Sequence, residues 1–329
     1  MAGGNISSEK IDLMIYGPSR PILETGFSDQ FVLHFVETRA DLERLNPEVA
    51  AKIRGIAVTY HTVVADPATL SLFPKLEIVA SFGVGYDHVD AKYAREHNIV
   101  VTNTPDVLTE EVADIAMGLL IATLREFIKA DRYLRSGLWM TQNYPLSVGS
   151  LRDRKVGMVG MGRIGQAIGR RLEASRVPVV YHSRNPAAGV SYKHYPDLIE
   201  MAKAVDTLVV IIPGGAATAK MINAEVMQAL GPRGVIINVA RGSVVDEAAL
   251  IAALKSGTIL AAGLDVFANE PAVPDELRAM QNVVLLPHIG SASVVTRNAM
   301  DQLVVDNLKA WFAGKPPLTP VAETPVRDR

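Results

Sequence analysis

Three residues in the last third of the chain, Arg241, Glu270 and His288, each follow a short apolar run. An arginine can grip a carboxylate, a carboxylate can raise the pKa of a neighbouring histidine, and a charged histidine can hand a proton to a carbonyl oxygen. All three lie downstream of a glycine-rich turn, Gly160-Met-Gly162-Arg-Ile-Gly165. In this order the set predicts hydride transfer to a 2-keto acid. Arg241, in Ile237-Asn-Val-Ala-Arg-Gly242, is expected to hold the acid. Glu270, in Asp265-Val-Phe-Ala-Asn-Glu-Pro271, is expected to meet His288, which follows Val283-Val-Leu-Leu-Pro287 and would act as general acid.

The glycine turn sits between Val156-Gly-Met-Val159 and Gln166-Ala-Ile-Gly-Arg-Arg-Leu172, a strand–turn–helix context for dinucleotide binding. Gly160 permits the tight turn, Gly162 lets backbone approach a pyrophosphate, and Gly165 brings helix close to strand. Where an NAD enzyme places an acid against the ribose hydroxyls, this chain reads Tyr181-His-Ser-Arg-Asn185. Arg184 can pair with a 2′-phosphate and Ser183 can donate to it, so NADP is predicted over NAD. Phe82-Gly83-Val84-Gly85 follows another apolar run, and its successive N–H groups could nest an anion. His61, His88 and His182 show no partner arrangement like that of His288, and no histidine spacing suits a metal.

These side chains need a frame to bring them together. The chain has 329 residues, too many for one ordinary core, so two domains are expected. Short β-branched runs recur through the first hundred residues: Ile11-Ile15, Phe31-Val36, Gly55-Val58, Leu76-Ala80 and Ile99-Thr102. A second series comprises Val156-Val159, Val177-Tyr181, Thr207-Ile212, Gly234-Val239, Leu260-Asp265 and Val283-Leu286. Strands alternating with helical stretches imply α/β architecture with parallel sheets. Between the series, Thr109-Arg125 is apolar almost all round and predicts a helix buried on every side, capped by Thr109. A last long helix, Thr296-Phe312, is expected to pack back on the first domain and make it discontinuous. The domains are placed at 1–103 with 290–329, and at 104–289.

A formal net charge of only -2 argues against nucleic acid or anionic membrane as a dominating partner. Cysteine is absent, so neither a disulfide nor a thiolate site is possible. Met1 to Lys10 has no apolar core of a secretory signal, and Ile115 to Leu124 is too short to span a bilayer, so a cytoplasmic protein is expected.

Taken together the motifs resemble the D-isomer-specific 2-hydroxyacid dehydrogenase family. They are Gly160 to Gly165, Asn238-Val-Ala-Arg-Gly242, Gly263-Leu-Asp-Val-Phe267 with Glu270-Pro271, and Leu286-Pro-His-Ile-Gly290, with Gly83-Val-Gly85 and Asn103-Thr-Pro105 also similar. The likeness spans nearly the whole chain. It implies two Rossmann-like domains, a flavodoxin-like substrate domain and a dinucleotide-binding one, with a cleft between them and a homodimer built on the cofactor domain. By resemblance Arg241, Glu270 and His288 are catalytic, and Val84, Gly85 and Ser291 join Arg241 around the substrate. Thr109, Gly160, Gly162, Arg163, Ile164, Gly165, Ser183, Arg184, Ile212, Pro213, Thr218, Val239, Ala240, Arg241, Asp265, His288 and Gly290 would surround NADP.

Within the family, the arginine-bearing second strand looks like that of NADPH-dependent glyoxylate/hydroxypyruvate reductases. In those a partner's tryptophan can close the substrate site, and Trp139 is the candidate. One departure is Gly214-Gly-Ala-Ala-Thr218 where many relatives carry a Leu-Thr-type stretch, which predicts a roomier or more mobile cofactor edge. The expected reaction is reduction of glyoxylate or hydroxypyruvate by NADPH. The rivals are bulkier aryl-pyruvates and a dinucleotide-sensing scaffold like the corepressors of this fold. Formate oxidation, whose enzymes would carry glutamine in place of Glu270, is disfavoured, and phosphite oxidation is left open.

Overall fold

The structure, a computed structural model, describes residues 10–60, 62–147, 149–324 and 326. Most of the expected N-terminal stretch Met1 to Lys10, and His61, lie outside the described residues. The chain forms two compact units, Met1–Leu108 with Ser293–Arg329, and Thr109–Ala292. Both boundaries fall a few residues beyond the positions expected from sequence.

The first unit holds five parallel strands: β1 (Ile11–Tyr16), β2 (Phe31–Val36), β3 (Ile53–Val58), β4 (Ile78–Ser81) and β5 (Val100–Thr102). They run in the order β2-β1-β3-β4-β5, the flavodoxin-like arrangement. The central strands are continuous apolar runs because helices cover both faces; Ile56, Ile78 and Val79 have no exposed surface. At one edge, β2 leaves Phe35 half-exposed. At the other, the C-terminal segment pairs with β5: Thr102 bridges Pro320, and the Val321 amide donates to the Val101 carbonyl at 2.9 Å. The last long helix runs Val294–Phe312, capped by Ser293, and packs on β4 and on the short helix Pro21–Thr25. Residues from both ends of the chain therefore build this one unit.

The second unit holds seven parallel strands: β6 (Val156–Val159), β7 (Val179–His182), β8 (Lys193–Tyr195), β9 (Thr207–Val210), β10 (Val235–Asn238), β11 (Ala261–Leu264) and β12 (Val283–Leu285). Their order, β12-β11-β10-β9-β6-β7-β8, reverses at β6, so a crevice opens outside the carboxyl ends of β6 and β9. The Lys193–Tyr195 strand has no counterpart among the predicted runs. It is a polar edge strand, paired on one side only, so burial does not impose an apolar signature on it.

The helix Thr109–Leu124 packs against β11, β10, β12 and the helix Arg163–Ala174. It buries Val112, Ala113, Ala116, Leu119 and Leu120, while Asp114 and Gly118 are exposed. The all-round burial expected from its composition is therefore not met within one chain. Thr109 is the first helical residue, not a cap preceding it. Among the described residues, no helix is long and apolar enough to cross a membrane.

Candidate active site

Each functional segment of the second unit leaves the carboxyl end of a strand. After β6, Gly160 has φ +105°, and a side chain there would come within 2.4 Å of the Ile211 carbonyl oxygen. At Gly165 a Cβ would come 2.5 Å from the Gly160 oxygen, so only glycine lets helix and strand lie this close. Gly162 caps the helix Arg163–Ala174 with no side-chain hydrogen bond, and nothing stands within 4 Å of its missing Cβ. Arg163 and Ile164 form the helix's first turn. An uncapped 12-residue helix with open space at its entrance fits a pyrophosphate, because its first N–H groups and dipole favour an anion.

After β7, Arg184 is exposed and Ser183 half-buried. No carboxylate lies within Tyr181–Asn185, so this edge suits a 2′-phosphate. The Ser183 hydroxyl already donates to the Asn185 carbonyl at 2.6 Å, so Arg184 is the donor at hand and Ser183 must turn to join it. After β9 come Ile212 and Pro213. The Thr218 hydroxyl donates to the Pro213 carbonyl at 2.7 Å, and the Thr218 amide donates to Gly215. At this edge, expected to be roomier or more mobile, the loop carries these two hydrogen bonds of its own threonine.

Asn238 ends β10 with 1 % exposure. Its side-chain oxygen accepts from the Ala240 amide and its amide donates to the Arg241 carbonyl, both at 3.0 Å. This local turn buries Val239 and Ala240 and presents Arg241, whose Nη1 donates to the Ala240 carbonyl at 2.8 Å. A Cβ on Gly242 would lie 1.8 Å from the Phe267 carbonyl carbon. Glycine there lets the Arg241 turn press against the backbone of the segment carrying Glu270.

Asp265 follows β11, buried, and its carboxylate accepts from the amides of Ile289 (2.7 Å) and Gly290 (2.8 Å). Burial pushes this carboxyl above the usual carboxylate range, while those two amides and the His288 charge pull it back. The His288 amide donates to the Asp265 carbonyl at 2.9 Å. His288 itself adopts φ +54°, a left-handed conformation that costs an ordinary residue on the order of 1 kcal/mol. The Asp265 clamp holds it there.

In that pose His288 Nδ1 lies 2.7 Å from Glu270 Oε2, and Glu270 Oε1 accepts from the Phe267 amide at 3.0 Å. With Nδ1 turned to the carboxylate, Nε2 is the ring nitrogen at which a proton could be exchanged with a substrate. Ser291 follows in the turn closed by the Ala292 amide on Ile289.

Val84 and Gly85 belong to the first unit. The Gly83 amide is spent on Thr104 Oγ1 at 2.9 Å, so the expected nest narrows to the N–H groups of Val84 and Gly85, which donate to no acceptor among the described residues. Trp139 lies in a short 3-10 turn, Leu138–Met140, and is 62 % exposed.

Of the three residues singled out from sequence, the structure pairs Glu270 with His288; the residues that hold the surrounding turns are not evident from sequence. From sequence alone, Asn238 is only part of a motif and Asp265 only a neighbour of the cofactor. The signal for each was a polar residue ending an apolar run, where its partners are backbone amides of its own or a neighbouring turn.

A model of the D-isomer-specific 2-hydroxyacid dehydrogenase NAD-binding domain matches residues 117–290. Glyoxylate/hydroxypyruvate reductase A of Arabidopsis thaliana is 45 % identical, over 95 % of this chain and 99 % of its own. Hydroxyphenylpyruvate reductase of Plectranthus scutellarioides is 44 % identical with the same coverage. Among solved structures, the NADPH-dependent glyoxylate/hydroxypyruvate reductase of Sinorhizobium meliloti, in complex with NADP and malonate, superposes with a TM-score of 0.93. It is 54 % identical and covers 97 % of this chain and 99 % of its own.

Proposed function

Since this chain belongs to the D-isomer-specific 2-hydroxyacid dehydrogenase family, we propose that it reduces glyoxylate or hydroxypyruvate with NADPH, giving the D-hydroxy acid where a stereocentre forms. The observation that carries this reading is the His288–Glu270 pair at 2.7 Å, the arrangement a carbonyl reduction needs for its proton. NADPH supplies the hydride when bound. His288 Nε2 delivers a proton to the carbonyl oxygen as negative charge develops there. Glu270 fixes the ring and stabilises the imidazolium. Arg241 polarises the same oxygen and pairs with the acid; in the first unit, the Val84 and Gly85 amides are donors suited to a carboxylate. The uncapped helix after Gly162 holds the pyrophosphate and Arg184 the 2′-phosphate; Thr109, Val239 and Ala240 complete the cofactor's surroundings.

The first test is a panel of keto acids assayed with both cofactors by nicotinamide absorbance. Turnover should be best with glyoxylate or hydroxypyruvate and NADPH. The similarity to a hydroxyphenylpyruvate reductase makes aryl-pyruvates the second reading, which higher kcat/KM on them would establish. Absence of turnover on every keto acid would leave a dinucleotide sensor. Arg184→Asp should lower kcat/KM for NADPH by about 10²-fold, through lost charge-assisted bonds and new repulsion, with NADH little affected. Equal use of both cofactors by the native enzyme would reject the role given to Arg184.

The protein is proposed to act as a homodimer built on the second unit. In support, Trp139, Met140 (90 %) and Leu146 (96 %) are exposed on a segment folded over the helix Phe127–Arg135, and the Gly118 face of the neighbouring helix is open. The Tyr133 hydroxyl donates to the Gln142 carbonyl at 2.9 Å, fixing that segment in place. Sedimentation should show a dimer, with Leu146→Asp shifting it to monomer and Trp139→Ala raising the keto-acid KM if the partner's tryptophan closes the site. A native monomer at assay concentrations would exclude this assembly. The cytoplasm is part of the same reading, since a reductase drawing on NADPH needs the reduced cofactor in supply.

A further inference from the structure

The two amides assigned to the substrate carboxylate sit in a turn that glycine makes pliable. Gly83 and Gly85 flank Val84, and Gly83 has φ +124°. Peptides in such a stretch can rotate, and a rotated peptide would present a carbonyl oxygen to the carboxylate where an N–H should be. Both planes are nevertheless pinned from behind. The Gly83 carbonyl accepts from the Thr104 amide at 2.9 Å, and the Val84 carbonyl accepts from Asn103 Nδ2 at 2.8 Å. In a trans peptide the C=O and the following N–H point in opposite directions. Pinning those two carbonyls therefore aims the Val84 and Gly85 N–H groups away from the Asn103–Thr104 segment, together and on one side.

Asn103 is itself held by the segment after the last helix. Its amide donates to the Thr319 carbonyl at 3.2 Å, and its carbonyl accepts from the Thr319 hydroxyl at 2.6 Å. The Thr319 amide donates to Asn307 Oδ1 at 3.0 Å, and Asn307 Nδ2 donates to Thr319 Oγ1 at 2.9 Å and to the Leu303 carbonyl at 2.8 Å. Asn307 has no exposed surface. A polar network satisfied at each of these atoms is rigid, and this one reaches from a fully buried helix side chain to the rear of the Val84–Gly85 turn.

We propose that Asn103 is a positioning residue for the substrate carboxylate, and that Asn307 and Thr319 set the affinity for the keto acid by holding it. This rests on the reading that Val84 and Gly85 bind that carboxylate. Neither Asn103 nor Thr319 acts on the carbonyl or the cofactor, so the effect belongs in KM for the acid and not in turnover.

Three variants of the full chain test it, with glyoxylate as the probe. Asn103→Ala removes the donor to Val84. Thr319→Val keeps shape but loses the hydroxyl, and Thr319→Ser restores it. The first two should raise the glyoxylate KM by about 3–10-fold each, the worth of a net hydrogen bond, and the serine variant should return it to the native value. The kcat at saturating glyoxylate and the Kd for NADPH by fluorescence should stay near native, while Thr319→Val, which strands a buried Asn307 donor, should lower Tm by a few degrees. An unchanged KM in both Asn103→Ala and Thr319→Val overturns the proposal. So does a loss of kcat and NADPH affinity in step with KM, which is what a merely structural role would produce. Gly85→Pro, which deletes one of the two N–H groups, separates the two readings. If it leaves the glyoxylate KM unchanged, the carboxylate assignment of the turn is wrong. If it raises KM while the Asn103 and Thr319 variants do not, only the positioning role falls.

Discussion

Replacing His288 with glutamine should lower kcat by about 10²–10⁴-fold, the range a positioned general acid contributes, while NADPH binding stays intact. The expectation follows from how fully the ring is committed. Its Nδ1 is held at 2.7 Å by Glu270, whose other oxygen is fixed by the Phe267 amide. Its backbone sits in a left-handed conformation closed by Asp265 on both sides, through the His288 amide and through the Ile289 and Gly290 amides. A glutamine can fill much of the ring's place and keep a hydrogen bond to Glu270, but an amide cannot release a proton near neutral pH. Single-turnover kinetics with saturating NADPH isolate the chemical step. A variant that turns over glyoxylate at the native rate would remove His288 from the mechanism.

Arg241→Ala should cost about 10³-fold in kcat/KM, and Arg241→Lys about 10²-fold. The lysine keeps the charge but not the planar fork, and here the fork matters because it must serve a carboxylate and the adjacent carbonyl oxygen together. One guanidinium nitrogen, Nη1, already donates to the Ala240 carbonyl, which sets the plane before any substrate arrives. Asn238 holds the turn beneath it, so a truncated side chain should leave a shaped gap and not a collapsed one. Added guanidinium should then recover part of the lost activity in Arg241→Ala, and none in His288→Gln. Native activity in Arg241→Lys would show that charge alone suffices.

The sheet assignments could be read from the chain because strands covered on both faces must be nearly continuous apolar runs, and helices between parallel strands must cross over. β9 to β11 are written that way, residue by residue. β8, Lys-His-Tyr, carries no such mark because one side of it pairs and little of it is buried. The triad was legible for a related reason: charged side chains ending apolar runs stand out against them. Its supports carry only the same mark, a polar residue closing an apolar run, with no sign of what they hold. Asn238, Asp265 and Asn103 act on backbone groups of neighbouring turns, and which turns are neighbours is decided by strand order, which no local pattern specifies. The helix Thr109–Leu124 erred the other way, since its composition states that its faces are to be covered but not that one chain fails to cover them.

The first unit is made from both ends of the chain, and this inverts the order in which the two units can be completed during synthesis. Residues Ile11–Thr102 leave the ribosome first, yet their sheet lacks the helix Val294–Phe312 and the segment that covers β5 until almost everything else has been made. The Thr109–Ala292 unit is whole by then, with its contacts internal to its own residues. The early strands must wait meanwhile with an uncovered edge and apolar face, the condition under which nascent chains aggregate or recruit chaperones. A stop codon near Ser293 would thus yield a protein able to build its dinucleotide crevice but not to finish the unit that carries the Val84–Gly85 turn.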